Sequence, residues 1–207
     1  PLLADEDGVI GLDARVRISA EPARRPAIKA YPEHLAAPLV LTDGQVLQMR
    51  CVRPQDAPAL GELVENTSPA DRRLRFHGAM RRLPGALAAR LSQIDYDREM
   101  ALVAETAAGD IVGVARLYAE PDGLKAEFAL LVRTDWQAHG LGRKLMAALL
   151  DYADSQGLQT VWGSVLAEND NMLRLTDALG FERRHGDDPA AVRVERRRPA
   201  EGTLSHA

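Results

Sequence analysis

The chain has 207 residues, 46% apolar and 27% charged, a balance typical of a globular protein that argues against wholesale disorder. It has no apolar run of the ~18 residues that a transmembrane helix needs. The net charge of −4 and the single cysteine argue against a dedicated nucleic-acid-binding protein, a disulfide framework and a thiolate zinc cluster. We therefore expect a cytoplasmic protein with no nucleic-acid or membrane partner, and its oligomeric state stays open.

The first 44 residues differ in pattern from the rest. Residues 1–18 hold two apolar-rich runs around Asp7-Gly8, which predicts a β-hairpin. The chain begins with Pro1 and no signal-peptide pattern follows, so we expect a piece of a longer polypeptide without a secretion signal. Residues 19–44 contain four prolines and are predicted to be a linker without regular structure.

From residue 45 the apolar pattern becomes dense. Strands are predicted at Val46–Val52, Met100–Glu105, Ile111–Tyr118, Lys125–Val132, Val161–Leu166, from Phe181 and at Val192–Glu195. Helices are predicted after Pro54, Pro69 and Pro84, after Gly140-Leu141-Gly142 and at Asn171–Leu179. This order predicts an α/β fold with a mixed central sheet flanked by helices over residues 45–198, followed by a C-terminal tail at 199–207.

The loop between the strand ending at Val132 and the long helix is a candidate anion site. Gly140 and Gly142 allow a close approach of the backbone to a ligand, and the first helical amides lack internal partners. Arg143 and Lys144 add positive charge at the same end. Leu145 stands where a dinucleotide-binding fingerprint needs glycine, and the chain has no Gly-Lys dipeptide for a P-loop. The alternative is that this loop binds no ligand, and that the glycines only allow a tight turn before a capped helix.

The spacing Gln-x-x-Gly-x-Gly after a strand, with Asn169 and Leu179-Gly180-Phe181 downstream, resembles the GNAT N-acetyltransferase superfamily. Thr134 departs from that pattern, in which many members have proline. The resemblance implies a GNAT fold and acetyl-CoA as cofactor, with its pyrophosphate on the loop and its pantetheine arm beside the Asn169 segment. The cofactor-binding residues that it implies are Leu130, Leu131, Val132, Gln137, His139, Gly140, Leu141, Gly142, Arg143, Lys144, Asn169 and Met172.

Two further segments, residues 68–76 and 93–101, are similar to the bacterial protein lysine acetyltransferase (Pat) subfamily. That similarity implies lysine as the acceptor, on AMP-forming acyl-CoA synthetases such as acetyl-CoA synthetase. It also implies that residues 1–18 are the tail of the ATP-grasp part of an NDP-forming acyl-CoA synthetase-like region.

Acetyl transfer to lysine requires a neutral amine. A free lysine has a pKa near 10.4, so only on the order of 0.1% or less is neutral at pH 7, and deprotonation costs roughly 4–5 kcal/mol. A nearby carboxylate can take that proton as a general base. Glu127 is our candidate because it shares a strand face with Ala129 and Leu131, and similar enzymes have a glutamate base there. A glutamate in solvent, or one paired with Arg116, is the alternative.

The roles of several other residues are less well determined by the sequence. Many relatives in the superfamily have a tyrosine acid four residues before the Gly-Phe pair, where this chain has Thr176. Asn169 is either a pantetheine contact or a helix cap. The run Arg72-Arg73-Leu74-Arg75 is interpreted as a solvated face, with a role in shaping the acceptor groove as the alternative. The scattered histidines predict no metal site.

Two other functions remain open from the sequence. A regulatory domain that senses acyl-CoA without catalysing transfer would explain the missing tyrosine. A small-molecule amine acetyltransferase would use the same donor with a different acceptor.

Overall fold

A computed structural model describes residues 2–5, 8–11, 29–78, 80–185 and 188–198. Strands β1 (Leu2–Asp5) and β2 (Gly8–Gly11) pair antiparallel as a separate two-stranded sheet, with Asp5 opposite Gly8. The predicted N-terminal hairpin is therefore confirmed over these eight residues. Residues 12–18, which the prediction also included, lie outside the described residues.

The other eight strands of the described residues form one sheet in the order β3-β4-β5-β6-β7-β8-β10-β9. Neighbouring strands are antiparallel except for the parallel pair β7–β8. The predicted mixed sheet is confirmed. The strands are β3 (Ala37–Val40), β4 (Val46–Cys51), β5 (Glu99–Glu105), β6 (Ile111–Ala119), β7 (Lys125–Val132), β8 (Thr160–Leu166), β9 (Glu182–His185) and β10 (Ala191–Arg197).

Helices cover both faces of this sheet. They are α1 (Ala57–Glu65), α2 (Pro69–Phe76), α3 (Gly85–Ser92), α4 (Leu141–Ser155) and α5 (Asp170–Ala178). The apolar stripe of α4 packs into the core of one face, where Leu145, Met146 and Leu149 are fully buried. Leu60 and Leu63 of α1 belong to the second core on the opposite face. Within the described part of the chain, no helix is both long enough and apolar enough to cross a bilayer.

The prediction that residues 19–44 lack regular structure is wrong for their last part. Residues Glu33–Leu35 form a 3₁₀ turn, and β3 pairs with β4 as the edge strand of the main sheet. Pro38 lies within β3, opposite Gln48. Proline is tolerated at an edge because the outer side of the strand has no neighbour that needs its missing N–H group.

Cys51 at the end of β4 is completely buried, with Sγ 3.6 Å from Sδ of Met100. Burial raises the pKa of this thiol from 9.0 to about 11. We expect no reaction with a thiol reagent at pH 8 in the native state, and full reaction after denaturation. Because the folded state keeps the proton, this contribution to stability is complete below pH 9 and is lost as the pH rises through 11. Native labelling as fast as that of the denatured chain would contradict this.

Candidate active site

A cleft opens between the parallel strands β7 and β8. They pair only from Lys125–Thr160 to Glu127–Trp162. Beyond this point β7 stays paired with β6 as far as Val132, and β8 stays paired with β10 as far as Leu166. The inner edges of both strands therefore diverge and carry backbone groups without a partner in the neighbouring strand. Such edges are a ready site for a ligand that offers amide groups of its own.

A phenylalanine ring occupies the point where the two strands part. Phe128 is the first residue of β7 beyond the last pair, and its ring packs edge-on against Phe181 with the centroids 5.3 Å apart. Gly163 of β8 lies directly beneath that ring. A Cβ atom at Gly163 would lie 2.5 Å from Cε1 and 2.8 Å from Cζ of Phe128. The ring can therefore lie over β8 only because residue 163 has no side chain.

We expect Gly163→Ala to destabilise the fold by about 1–3 kcal/mol, the usual cost of forcing extra atoms into a packed core. The displaced Phe128 ring should also weaken acetyl-CoA binding, which calorimetry measures. Phe128→Leu in the Gly163→Ala background removes Cε1 and Cζ, the two ring atoms nearest to the new Cβ, and should restore part of both losses. A double variant no more stable than Gly163→Ala alone would contradict this explanation.

The loop at the start of α4 presents free backbone amides to the cleft. Gly140, the N-cap residue, has φ 80° and ψ 0°, and Ala138 has φ 64°. In the described part of the chain, the N–H groups of residues 138–143 have no hydrogen-bond acceptor. Unpaired amides at a helix N-terminus favour an anionic ligand. A Cβ at Gly142 would lie 3.3 Å from Cδ2 of Leu130, so glycine allows α4 to start close to β7.

Side chains fix this loop from both sides. Nε2 of Gln137 donates to the carbonyl oxygen of Val132 at 3.1 Å and ties the loop to the end of β7. The N–H of Thr42 donates to the carbonyl oxygen of His139 at 3.1 Å. The imidazole Nδ1 of His139 lies 3.0 Å from Oδ2 of Asp43. These contacts pre-organise the amides before any ligand binds.

Helix α2 forms a wall of the cleft and is tied to the same loop. The hydroxyl of Ser68 caps α2 by accepting from the N–H of Asp71 at 3.1 Å. Oγ1 of Thr134 accepts from the N–H of Ser68 at 2.8 Å and donates to Oδ2 of Asp71 at 2.6 Å. Proline at residue 134 could make neither bond, so Thr134 has a structural use in this chain.

The cleft is a cavity of about 690 Å³, within the size range of small-molecule sites. Eleven of the sequence-predicted site residues line it: Glu127, Leu130, Leu131, Val132, Gln137, Gly140, Leu141, Gly142, Arg143, Asn169 and Met172. The two others, His139 and Lys144, are not among its lining residues. The side chain of His139 instead contacts the turn after β3.

Glu127 lies at the point where β7 and β8 separate. It is half-buried and shares a face of β7 with Ala129 and Leu131, as alternation predicted. The alternative pairing with Arg116 does not occur, because the guanidinium of Arg116 donates to the carbonyl oxygen of Leu91 at 2.6 Å and makes no ion pair with Glu127. The carboxylate therefore faces the cavity, where Arg75 interacts with it electrostatically without forming an ion pair.

The structure gives different positions to Asn169 and Thr176, whose roles the sequence left open. Oδ1 of Asn169 accepts from the N–H of Met172 at 3.1 Å, so the capping role is realised while the residue also lines the cavity. Thr176 is fully buried, and its hydroxyl donates to the carbonyl oxygen of Leu173 at 2.9 Å. Since Thr176 does not line the cavity, it cannot serve there as a general acid.

Sequence reasoning missed most of the α2 wall. The interpretation of residues 72–75 as a solvated face is wrong for two of the three arginines. Arg72 is half-buried, and its Nη1 donates to the carbonyl oxygen of Thr67 at 2.6 Å. Arg75 lines the cavity beside Glu127. Arg73 is exposed but pairs with Glu168. The sequence signal that could have found Arg75 is its spacing beside the apolar Leu74 and Phe76, which also line the cavity.

Comparisons with known proteins agree with this geometry. The model of the acetyltransferase (GNAT) family matches residues 71–181. The chain is 33% identical to an acetyltransferase of Pseudomonas aeruginosa over 73% of its own length and 84% of the relative's. It is also 33% identical to acetyltransferase Pat of Mycolicibacterium smegmatis, over 69% of this chain and only 43% of the longer relative.

The crystal structure of the GNAT domain of S. lividans PAT superposes with a TM-score of 0.76 at 25% identity, covering 81% of this chain and 99% of that domain. This likeness confirms the predicted fold, and acetyl-CoA as the acyl donor follows from the family. The chain therefore belongs to the acetyltransferase (GNAT) family.

Proposed function

We propose that this protein transfers the acetyl group of acetyl-CoA to the ε-amine of a lysine on an AMP-forming acyl-CoA synthetase, with Glu127 as general base. The observation that carries the proposal is one cavity that joins three features. These are the unpartnered amides of residues 138–143, the diverging edges of β7 and β8, and the carboxylate of Glu127.

The residues present fit acetyl-CoA. The free amides after Gln137, with Arg143 at the mouth, are suited to the pyrophosphate. The unpaired edges of β7 and β8 are suited to the amide groups of the pantetheine arm. Bound there, acetyl-CoA supplies an acetyl thioester, whose acyl group a neutral amine can take.

Glu127 removes the proton that keeps the acceptor amine from reacting. The acceptor arrives mostly as an ammonium ion, and the carboxylate takes its proton directly or through one water molecule. The nitrogen lone pair is then free to form the new amide bond. The half-buried position of Glu127, without an ion-pair partner among the described residues, keeps the carboxylate available for this transfer.

No side chain is assigned to protonate the departing thiolate. Thr176 is unsuitable because it is buried and bonded within α5. A thiolate is a stable leaving group, so water can protonate it after it departs.

The choice of lysine on a synthetase is supported by residues 68–76 and 93–101, which are similar to protein lysine acetyltransferases. In the structure the first of these segments forms α2, the wall that faces Glu127. A segment that distinguishes the subfamily therefore lies where an acceptor must approach. A purely sensory domain would need neither an available carboxylate nor a shaped acceptor wall.

The experiment mixes the protein with radiolabelled acetyl-CoA and an AMP-forming acetyl-CoA synthetase, and in parallel with spermidine and free amino acids. We expect label on the synthetase at a lysine that mass spectrometry identifies, and its loss when that lysine is replaced by arginine. Faster labelling of a small amine would support the small-molecule function. Tight binding of acetyl-CoA by calorimetry without any transfer would support the sensor.

A further inference from the structure

The α2 wall of the cavity carries a guanidinium group that makes no hydrogen bond or ion pair with any described residue. Arg75 of α2 lines the cavity together with Glu127. Its Cζ lies 5.1 Å from the centroid of its neighbour, the Phe76 ring. Across the described residues, no carboxylate or carbonyl oxygen accepts a hydrogen bond from this guanidinium. Arg75 is half-buried, so its donors are neither fully hydrated nor paired.

The nearby Arg116 differs from Arg75 in that its guanidinium has hydrogen-bond acceptors within the protein. Arg116 is 3% exposed on β6, opposite Ala129 of β7. It donates to the carbonyl oxygen of Leu91 at 2.6 Å and also interacts with the hydroxyl of Tyr118. Its donors are therefore used inside the protein, whereas those of Arg75 are left to face the cavity.

The local charge around Glu127 has a consequence for the acceptor. Arg75 interacts electrostatically with Glu127, Arg116 interacts with Glu99, and the carboxylate of Asp71 also lines the cavity. An ammonium ion entering alone would add a further positive charge in a partly desolvated site. A carboxylate that travels with the amine would pair with Arg75 and restore the balance, and a charge-assisted pair is among the strongest hydrogen bonds.

Burial lowers the pKa of Arg75, and the repulsion from Arg116 acts in the same direction. Arginine nevertheless stays charged in proteins, so the half-buried guanidinium remains a strong hydrogen-bond donor for an oxygen acceptor. The planar fork of five N–H donors suits a carboxylate better than a single carbonyl.

We propose that Arg75 is an acceptor-binding residue that pairs with a carboxylate next to the reactive amine, so that the preferred acceptor is a lysine flanked by an acidic residue. This inference rests on the proposed function, because it assumes an amine acceptor at Glu127. It adds a preference for an acidic residue next to the acceptor lysine, which membership in the family does not imply.

The test uses two hexapeptides that differ at one position, with a central lysine preceded by aspartate or by asparagine. For the wild-type protein we expect kcat/KM for the aspartate peptide to be about tenfold or more above that for the asparagine peptide. In Arg75→Met the ratio of the two kcat/KM values should fall to about one, while the Kd of acetyl-CoA changes little.

Arg73→Met is the matched control, because Arg73 lies on the same helix but is exposed and paired with Glu168. It should keep the aspartate preference. Equal rates with both peptides for the wild-type protein, or an unchanged preference in Arg75→Met, would overturn the proposal. A weaker Kd for acetyl-CoA in Arg75→Met would assign Arg75 to the donor instead, which also overturns it.

A second measurement separates this inference from the proposed function. Calorimetry with CoA bound gives the Kd of both peptides without requiring transfer. If neither peptide is acetylated, the lysine function fails for these acceptors, but tighter binding of the aspartate peptide that depends on Arg75 still supports the inference. If the two peptides bind equally, or neither binds, the inference is wrong.

Discussion

Replacing Glu127 by glutamine is expected to lower kcat/KM for acetyl transfer by about 10²- to 10⁴-fold, the usual contribution of a general base. Glutamine keeps the shape of the side chain at the fork of β7 and β8 but cannot accept the proton of the ammonium ion. The diverging strands and the amides of residues 138–143 are unchanged. The Kd of acetyl-CoA, measured by calorimetry, should therefore stay within about twofold of the wild-type value. A twofold change in Kd corresponds to only ~0.4 kcal/mol of binding free energy.

Glu120→Gln is the matched control for this experiment. Glu120 follows β6, and its carboxylate accepts from Nε1 of Trp162 at 2.8 Å, but it does not line the cavity. We expect its transfer rate to stay close to that of the wild-type protein. A Glu127→Gln variant that transfers at the same rate as Glu120→Gln would remove Glu127 from its role. A parallel loss of acetyl-CoA binding would show instead that Glu127 shapes the donor site.

The cleft between β7 and β8 lies next to well-packed groups. Parallel strands normally continue to pair, because an unpaired buried backbone group costs free energy. Here the Phe128 ring lies over Gly163 and packs on Phe181 at the point where the two strands part. The outer partners β6 and β10 keep each strand in place. The cleft is thus formed without a ligand, and its open edges offer backbone groups that are free to bind one.

Local sequence patterns predicted the parts of the fold that depend on local chemistry. Gly140 and Gly142 indicated the loop because glycine allows a positive φ, which Gly140 adopts, and a close approach of the backbone to a ligand. Alternation along residues 125–132 placed Glu127 on the cavity face. Both features depend on neighbours within a few residues, so a single sequence contains enough information to predict them.

Contacts between distant residues could not be predicted in this way. Thr134 bonds to Asp71 and Ser68, more than sixty positions earlier in the chain, and this contact fixes α2 over the cleft. Charge patterns made residues 72–75 look like a solvated face, although Arg75 turns into the cavity. Similarly, the high proline content of residues 19–44 led to the prediction of a linker, although β3 forms there because β4 provides its hydrogen-bonding partner. Each error concerns a segment whose structure is decided by tertiary contacts.

We expect Asp56→Ala to lower the free energy of unfolding by about 3–5 kcal/mol, the cost of breaking a buried ion pair. Arg50 and Asp56 are 8% and 7% exposed, and Nη1 and Nη2 of Arg50 lie 2.7 and 2.9 Å from the carboxylate oxygens. The carboxylate also accepts from the N–H of Arg53 at 2.7 Å, at the start of α1. The hydrogen bond to Asp56 is the main cause that raises the pKa of Arg50. Removing Asp56 leaves a buried guanidinium with only Glu105 to balance it.

Urea denaturation of both this variant and Glu65→Ala measures the difference between a buried and an exposed pair. Glu65 accepts from Nε of Arg82 at 2.8 Å, but these side chains are 44% and 80% exposed. Water and salt screen such a pair, so its loss should cost only about 0–1 kcal/mol. The m-value should be the same for both variants, because neither changes the surface exposed on unfolding. If Asp56→Ala costs no more than Glu65→Ala, the ion pair between Arg50 and Asp56 does not hold α1 against β4, and burial of these two charges adds nothing to the stability of that end of the sheet.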